Sequence, residues 1–439
     1  MSTSERLAIE PTQSASGTVT IPGSKSVSNR ALLLAALCQG TTRIRNLLVC
    51  DDTDLMLGAL AQLGIRWRRE GNDYVIEGCC GSFPTRKADL KVGNSGTTMR
   101  FLTAALSLQE GTYHLSGAPR MHERPIGALV DSLNSIGADI RYEAKAGYPP
   151  LTIEGSDVFV EGNGIELDAS ASSQYLTALL IALTQADSVS EHIDLRVRNG
   201  LISRPYIDIT IQLLKVFGVP VQVIDHATFR IPAHLRLQSP TNLTIEGDAS
   251  SASYFLAAGA IGCGPLRVEG VGSSSSQGDI RFAQALKDMG ASIEMTDQWI
   301  QVSRNPEAPL RGISVDCNDM PDAAMTLAVV ALFATGETTL SNIASWRVKE
   351  TDRLAAMAVE LRKLGAKVYE GKDFLKVKAP DAWLSPGHGI DTYEDHRIAM
   401  CFSLAAFGPN PVVINDPGCV SKTFPTYFDL LKQVTHHHA

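Results

Sequence analysis

One pattern recurs five times along the 439-residue chain and limits its architecture more than any other feature. An amphipathic stretch ends in an apolar residue and Gly, and a strand, a turn and a second strand follow. It reads "LGALAQLGIRW" at Gly64, "LVDSLNSIGADIRY" at Gly137, "IQLLKVFGVPVQVI" at Gly218, "FAQALKDMGASIEM" at Gly290 and "MAVELRKLGAKVYE" at Gly365. The glycines are 73, 81, 72 and 75 residues apart. Each suits the left-handed position that follows a helix C-terminus. The alternating residues after each suit a half-buried strand.

A second helix type occurs once per period: "SNRALLLAAL", "GTTMRFLTAAL", "SSQYLTALLIAL", "SSASYFLAAGAI", "DAAMTLAVVALFA" and "DHRIAMCFSLAAFG". These six are apolar nearly all round, the mark of a helix covered on every side. The count gives six α/β units, three per domain. The sixth has a last helix near "YFDLLKQV" but no strands expected after it, and the N-terminal "LAIEPT…GTVTIP" is placed to supply them. The first domain is therefore expected to be discontinuous, residues 1–22 with 241–439, and the second to span 23–240, with crossings near Pro22 and Pro240. The histidines at 436–438 are assigned no function.

Composition narrows the function. The net charge is −8 with no basic stripe, which argues against nucleic acid. No run approaches eighteen apolar residues, so no membrane span is expected, and "MSTSERLAIEP" has no apolar core of a secretion signal. Eight scattered cysteines without a CxxC pair argue against structural zinc and point to a reducing cytoplasm. A P-loop, an HExxH helix and a GxSxG elbow are all missing from the sequence.

Polar chemistry precedes each buried helix: Lys25, Ser26 and Arg30; Asn94, Gly96, Thr97 and Arg100; Ser172, Ser173 and Gln174; Asp248 and Ser250; Asp319 and Asp322; then Glu394, Asp395, His396 and Arg397. Helix N-termini offer unpaired N–H groups to anions. Capping explains Ser173, Thr97 or Ser250 taken singly. It does not explain Lys25, Arg30, Arg124 or Arg397, because a cation there opposes the helix dipole unless an anion lies between. Six such termini are expected to face an anion-binding cleft. "RMHERPIG", "SRPYIDIT", "SWRVKETDRL" and "CVSKTFPTYF" add Arg124, Ser203, Tyr206, Lys349, Glu350, Arg353 and Lys422. Chemistry resting on Lys, Arg, Asp and Glu suits acid–base work on a phosphorylated substrate.

"PGSKSVSNRALLLAAL", "GNSGTTMR", "RPIGALVDSL", "SSQYLTALL", "EGDASSASYFLAA", "PDAAMTLA", "WRVKETDRL", "EDHRIAM" and "KTFPTYF" together resemble the 5-enolpyruvylshikimate-3-phosphate synthase family, in order from about Ile21 to Phe428. The sister family acting on UDP-N-acetylglucosamine usually carries a reactive cysteine in the loop that here reads "PRMHERPIG", where none occurs. A rival of another class is an inactive relative that binds anions as a regulatory module; joint retention of Lys25, Arg124, Asp322, Glu350, Arg397 and Lys422 speaks against it.

The resemblance implies an inside-out α/β barrel, or prism, in each of two domains, each with three βαβαββ repeats around buried helices. It implies transfer of the enolpyruvyl group of phosphoenolpyruvate to the 5-hydroxyl of shikimate 3-phosphate, on the route to chorismate and aromatic amino acids, with no cofactor and no metal, by a monomer. Shikimate 3-phosphate would meet Lys25, Ser26, Arg30, Ser172, Ser173, Gln174, Ser203, Tyr206, Asp322, Ser345 and Lys349. Phosphoenolpyruvate would meet Lys25, Asn94, Gly96, Arg124, Gln174, Arg353, Arg397 and Lys422. Lys25, Asp322 and Glu350 would carry the proton transfers, and Asp52, Asp395 and His396 would orient neighbours. Glyphosate is implied as an inhibitor at the phosphoenolpyruvate site. Phe101 stands where the family commonly has Pro, which bears on the placement of Gly96 and Thr97 and is expected to weaken that inhibition.

Overall fold

A computed structural model describes residues 5–160 and 164–437. Close packing divides the chain into two units, one of residues up to Gly23 together with Glu246 onward, the other Ser24–Ile245. The crossings fall a little beyond Pro22 and Pro240. The strand Asn242–Thr244 explains the second, because it pairs in parallel with Thr41–Arg45 and so stays with the 24–245 unit.

Among the described residues, twelve α-helices alternate between two kinds. α1 (Lys25–Leu37), α3 (Gly96–Ser107), α5 (Ser173–Ala182), α7 (Ala249–Ile261), α9 (Ala323–Val330) and α11 (His396–Ser403) are the apolar ones. Every residue of α3, α7, α9 and α11 is buried, as are all but two of α1 and all but one of α5. α2 (Asp51–Gln62), α4 (Gly127–Ser135), α6 (Pro205–Val216), α8 (Phe282–Asp288), α10 (Arg353–Lys363) and α12 (Tyr427–Val434) are the outer ones, each with an exposed face. Gly64, Gly137, Gly218, Gly290 and Gly365 close the first five outer helices, with φ between +85° and +108°. After α2, the Gly64 N–H reaches the Ala61 carbonyl and the Ile65 N–H the Leu60 carbonyl, and the same pair of bonds closes the other four. This is a Schellman ending, which needs a left-handed residue that glycine adopts without strain.

The strands repeat with the helices. In the 24–245 unit Lys87–Lys91 enters α3, Gly111–Ser116 leaves it and pairs in parallel, and α4 leads to Asp139–Tyr142 and Leu151–Gly155, which add antiparallel. The same order builds the sheet around Ile165–Asp168 and His192–Arg198 and the sheet around Thr41–Arg45. In the discontinuous unit Thr12–Thr20 is the parallel partner of Cys263–Glu269, and Ser314–Asp316 that of Glu337–Ser341. The sixth repeat is the shortest: Val412–Asn415 pairs antiparallel with Arg6–Ile9, and Ile390 bridges to Ile414 in parallel. One strand does follow the last outer helix. Thr435–His437 joins the edge of Thr12–Thr20, with His436 Nε2 2.9 Å from Ser16 Oγ, so two of the three terminal histidines are part of a sheet; His438 lies outside the described residues. Among the described residues no ladder joins one sheet to the next. Each unit is a prism of separate sheets, and no barrel closes.

Hydrogen bonds between equivalent turns show that the buried helices of a unit run parallel. In the discontinuous unit Ser253 Oγ of α7 lies 2.8 Å from Thr326 Oγ1 of α9, which lies 3.6 Å from Cys401 Sγ of α11. In the 24–245 unit the same level is occupied by Arg30 of α1, Phe101 of α3 and Thr177 of α5. Parallel packing brings three N-termini together at one end of each unit, and there many of the candidate side chains gather.

Candidate active site

In the 24–245 unit Lys25 is the first residue of α1, and its Nζ lies 3.7 Å from Oδ2 of the buried Asp52. Arg30, one turn on, is buried. Its Nε donates to Thr210 Oγ1 at 2.8 Å, its Nη1 to the Ser26 carbonyl at 2.9 Å, and its Nη2 to Thr177 Oγ1 at 3.1 Å and the Tyr206 carbonyl at 3.2 Å. The Phe101 ring lies 5.4 Å from its Cζ. Burial pulls the Arg30 pKa down to about 10. Arg100 is placed in a similar way. It donates to Gln174 Oε1 at 2.8 Å and to the Gly96 and Pro125 carbonyls at 3.2 and 3.0 Å, and packs over Tyr175. Among the described residues, every acceptor on Arg30 and Arg100 is neutral.

Arg124 closes a short 3-10 turn, Pro119–Glu123, and donates to both the carbonyl and the Oδ1 of Asn94, at 2.9 and 3.0 Å. A Cβ on Gly96 would strike Nη1 of Arg100 and Nη2 of Arg124. Glycine at the head of α3 therefore lets two guanidiniums close on it, against the helix dipole. Ser172 caps α5 by accepting the Gln174 N–H at 3.2 Å; Ser173 is buried, and Gln174 Nε2 reaches Thr97 Oγ1 at 3.4 Å. Ser203 takes a left-handed backbone, φ +52°, ahead of Pro205, and its carbonyl accepts the Tyr206 N–H at 3.2 Å.

The heads of α7, α9 and α11 hold a denser network. Arg353, fully buried at the start of α10, bonds Asp395 at 2.7 and 3.2 Å, Asp322 Oδ1 at 2.9 Å and Glu350 Oε2 at 2.8 Å. Arg397 donates to Asp322 Oδ2 at 3.0 Å and to the Tyr254 hydroxyl at 3.1 Å. Lys349 Nζ is 3.9 Å from Asp322 Oδ1. Burial works against both guanidinium charges, yet the carboxylates hold Arg353 and Arg397 above the ordinary arginine value. Burial likewise pushes the Tyr254 phenol well up, so it stays a neutral hydroxyl. Asp395 caps α11 through the Arg397 N–H, and the fully buried His396 has Nδ1 3.5 Å from Asp395 Oδ1.

Local structure fixes these positions. Trp346, buried in the 3-10 turn Ala344–Val348, donates its indole N–H to the Pro321 carbonyl at 2.7 Å, pinning the loop that carries Ser345, Lys349 and Glu350 to the approach to Asp322. Tyr393 and Glu394 both have left-handed backbones and turn the chain into α11. The buried Glu360 of α10 holds that turn by accepting the Tyr393 hydroxyl at 2.7 Å and the Asp391 N–H at 3.1 Å. Lys422 ends the 3-10 segment Pro417–Lys422 and is half-buried.

Some expectations change. Thr97, Ser173 and Ser250 are not the N-caps; those positions fall to Ser95, Ser172 and Asp248. The Phe101 ring packs against Arg30 of a neighbouring buried helix, 5.4 Å from its Cζ. Sequence reasoning placed Arg100 among the helix-head groups without assigning it a substrate, and gave no role to Tyr254, Asp279 or Glu360.

The EPSP synthase (3-phosphoshikimate 1-carboxyvinyltransferase) family model matches residues 9–431. The chain belongs to this family. It is 58% identical to the 3-phosphoshikimate 1-carboxyvinyltransferase of Cupriavidus necator over 98% of this chain and 100% of that one. It is 55% identical to that of Ralstonia nicotianae over 97% and 98%. Among solved structures, EPSP synthase from Acinetobacter baumannii superposes with a TM-score of 0.79 at 27% identity, covering 98% of both chains. The enolpyruvyl transferase NikO from Streptomyces tendae superposes at 0.77 with 17% identity over 99% and 98%, a likeness of fold alone.

Proposed function

We infer how this chain works from its family and from the charges at its helix heads. It transfers the enolpyruvyl group of phosphoenolpyruvate to the 5-hydroxyl of shikimate 3-phosphate and releases phosphate, in the shikimate pathway. One observation carries the reading of the site: Arg30 and Arg100 are buried guanidiniums on neutral acceptors. A buried charge without a counter-charge is costly, and a phosphorylated or carboxylated substrate supplies that charge. Lys25, Ser26, Arg30, Ser172, Ser173, Gln174, Ser203, Tyr206, Ser345 and Lys349 are proposed for shikimate 3-phosphate. Asn94, Gly96, Arg124, Arg353, Arg397 and Lys422 are proposed for phosphoenolpyruvate, where a planar guanidinium pairs two oxygens at once.

The 5-hydroxyl oxygen bonds to the central carbon of phosphoenolpyruvate while the methylene carbon takes up a proton. The hydroxyl proton passes to Asp322, whose oxygens face Arg353, Arg397 and Lys349. Phosphate then leaves with its bridging oxygen, and the methyl group returns its proton. Glu350 and Lys25 are the proposed groups at that carbon. Arg353 is shared by Glu350, Asp322 and Asp395, which fixes where the Glu350 carboxyl stands. His396 and Asp52 orient Asp395 and Lys25. The enzyme is proposed to work as a monomer in the cytoplasm, where its eight free cysteines stay reduced. Among the described residues no helix is long and apolar enough to cross a membrane.

Two variants test the phosphoenolpyruvate side. Gly96→Ala will push Arg124 and Arg100 aside and raise the KM for phosphoenolpyruvate by about tenfold or more, equivalent to about 1.4 kcal/mol, with little change for shikimate 3-phosphate. Equal effects on both substrates would remove Gly96 from the phosphoenolpyruvate site. Glyphosate is proposed to inhibit at the same site, less strongly than in relatives with Pro at position 101, because a bulky ring near the head of α3 shifts Gly96 against an inhibitor longer than phosphoenolpyruvate. Paired inhibition curves will show Phe101→Pro more sensitive than the parent; equal sensitivity discards the idea.

A further inference from the structure

Asp279 is a buried carboxyl that the mechanism above does not use. It lies in a short 3-10 turn, Gly278–Arg281, ahead of α8. Its Oδ2 accepts the hydroxyl of Ser250 in the first turn of α7, and its Oδ1 accepts the N–H of Ala323, the first residue of α9, at 3.2 Å. Ala323 directly follows Asp322. Asp279 thus ties two helix heads together at the peptide next to the proposed base.

We propose that Asp279 is a positioning residue for the reaction, holding the Asp322–Ala323 peptide at the head of α9 and, through its charge, setting how Arg397 is divided between itself and Asp322. The proposal rests on the reading of Asp322 as the base.

The charges around it support this. From α9 and the segment before it, Asp322 and the Cys317 thiol act on Asp279, and from α11, Arg397; on its own turn Arg281 is paired with Asp319, and Asp248 at the head of α7 acts on Arg397. Arg397 in turn bonds Asp322 directly. Asp279, Asp322, Glu350 and Asp395 share this end of the unit with Arg353, Arg397 and Lys349. Burial first, and then the like charge of Asp322, raises the Asp279 pKa to about 6, while Arg397 and the Ser250 hydroxyl pull it down. Two close carboxylates repel, so the ionised form of Asp322 costs less once Asp279 is neutral. A base must be ionised to accept a proton, and its ionisation sets the acid limb of turnover.

The test is the pH profile of kcat, read as phosphate release with saturating shikimate 3-phosphate and phosphoenolpyruvate from about pH 5 to pH 9. Asp279→Asn keeps an acceptor for Ala323 and removes the charge. The parent profile will bend at about pH 6, where Asp279 takes up its proton beside an ionised Asp322, and Asp279→Asn will lack that bend, with KM values near pH 8 within about twofold of the parent. Coincident profiles, or an equal loss at every pH, overturn the proposal, since a purely structural role removes no titration. Should Asp279→Asn fail to fold, Ser250→Ala reads the same coupling. It lets Asp279 hold its proton to higher pH, so the bend moves upward, and an unmoved bend is again fatal. The underlying reading is separable: an Asp322→Ala variant with normal turnover removes the base and this proposal with it, whereas an inactive Asp322→Ala beside coincident profiles removes the proposal alone.

Discussion

Glu350→Gln will lower kcat by about two to four orders of magnitude while shikimate 3-phosphate still binds and the melting temperature stays close to that of the parent. The carboxyl is buried with Oε2 2.8 Å from Arg353, and Gln keeps its shape and an acceptor oxygen while losing the titrating proton. Arg353 retains Asp395 and Asp322, so no buried charge is stranded. Binding and chemistry therefore separate, and steady-state kinetics with a shikimate 3-phosphate titration reads both. Near-normal turnover would remove Glu350 from the proton transfer at the methylene carbon.

Asp322→Ala will produce the largest combined loss. Its two oxygens bond Arg353 and Arg397, and Asp322 is the one carboxylate bonded to Arg397 through its side chain among the described residues. Removing one partner of a buried ion pair costs about 3–5 kcal/mol, because the other charge stays behind. The variant will melt several degrees lower and turn over about two to four orders of magnitude more slowly. Asp322→Asn separates the effects: it restores much of the melting temperature and little of the rate. If Asn restored both, Asp322 would be a scaffold for the arginines and not the base.

The sequence made the repeat legible because each of its parts has a local cause. Five glycines at a left-handed position, alternating strands after them and six helices without a polar face require no knowledge of distant contacts. The chemistry at the helix heads was legible for a related reason: cations at N-termini contradict the dipole and stand out. What could not be read rests on contacts between residues far apart in the chain. Asp279 meets Ser250 and Ala323, and Arg397 meets Tyr254 across 143 positions, with no spacing that announces them. The contact of Phe101 with Arg30, on another helix, has no mark in the sequence either. The last strand was missed because it is three residues long and carries two histidines, which no alternation marks.

The most direct test of the account is the rate of phosphate release from phosphoenolpyruvate with each of two acceptors, shikimate 3-phosphate and UDP-N-acetylglucosamine. Release with shikimate 3-phosphate alone, lowered by about two to four orders of magnitude in Glu350→Gln, is the predicted result. Release with the nucleotide sugar instead, or with neither acceptor, would contradict it.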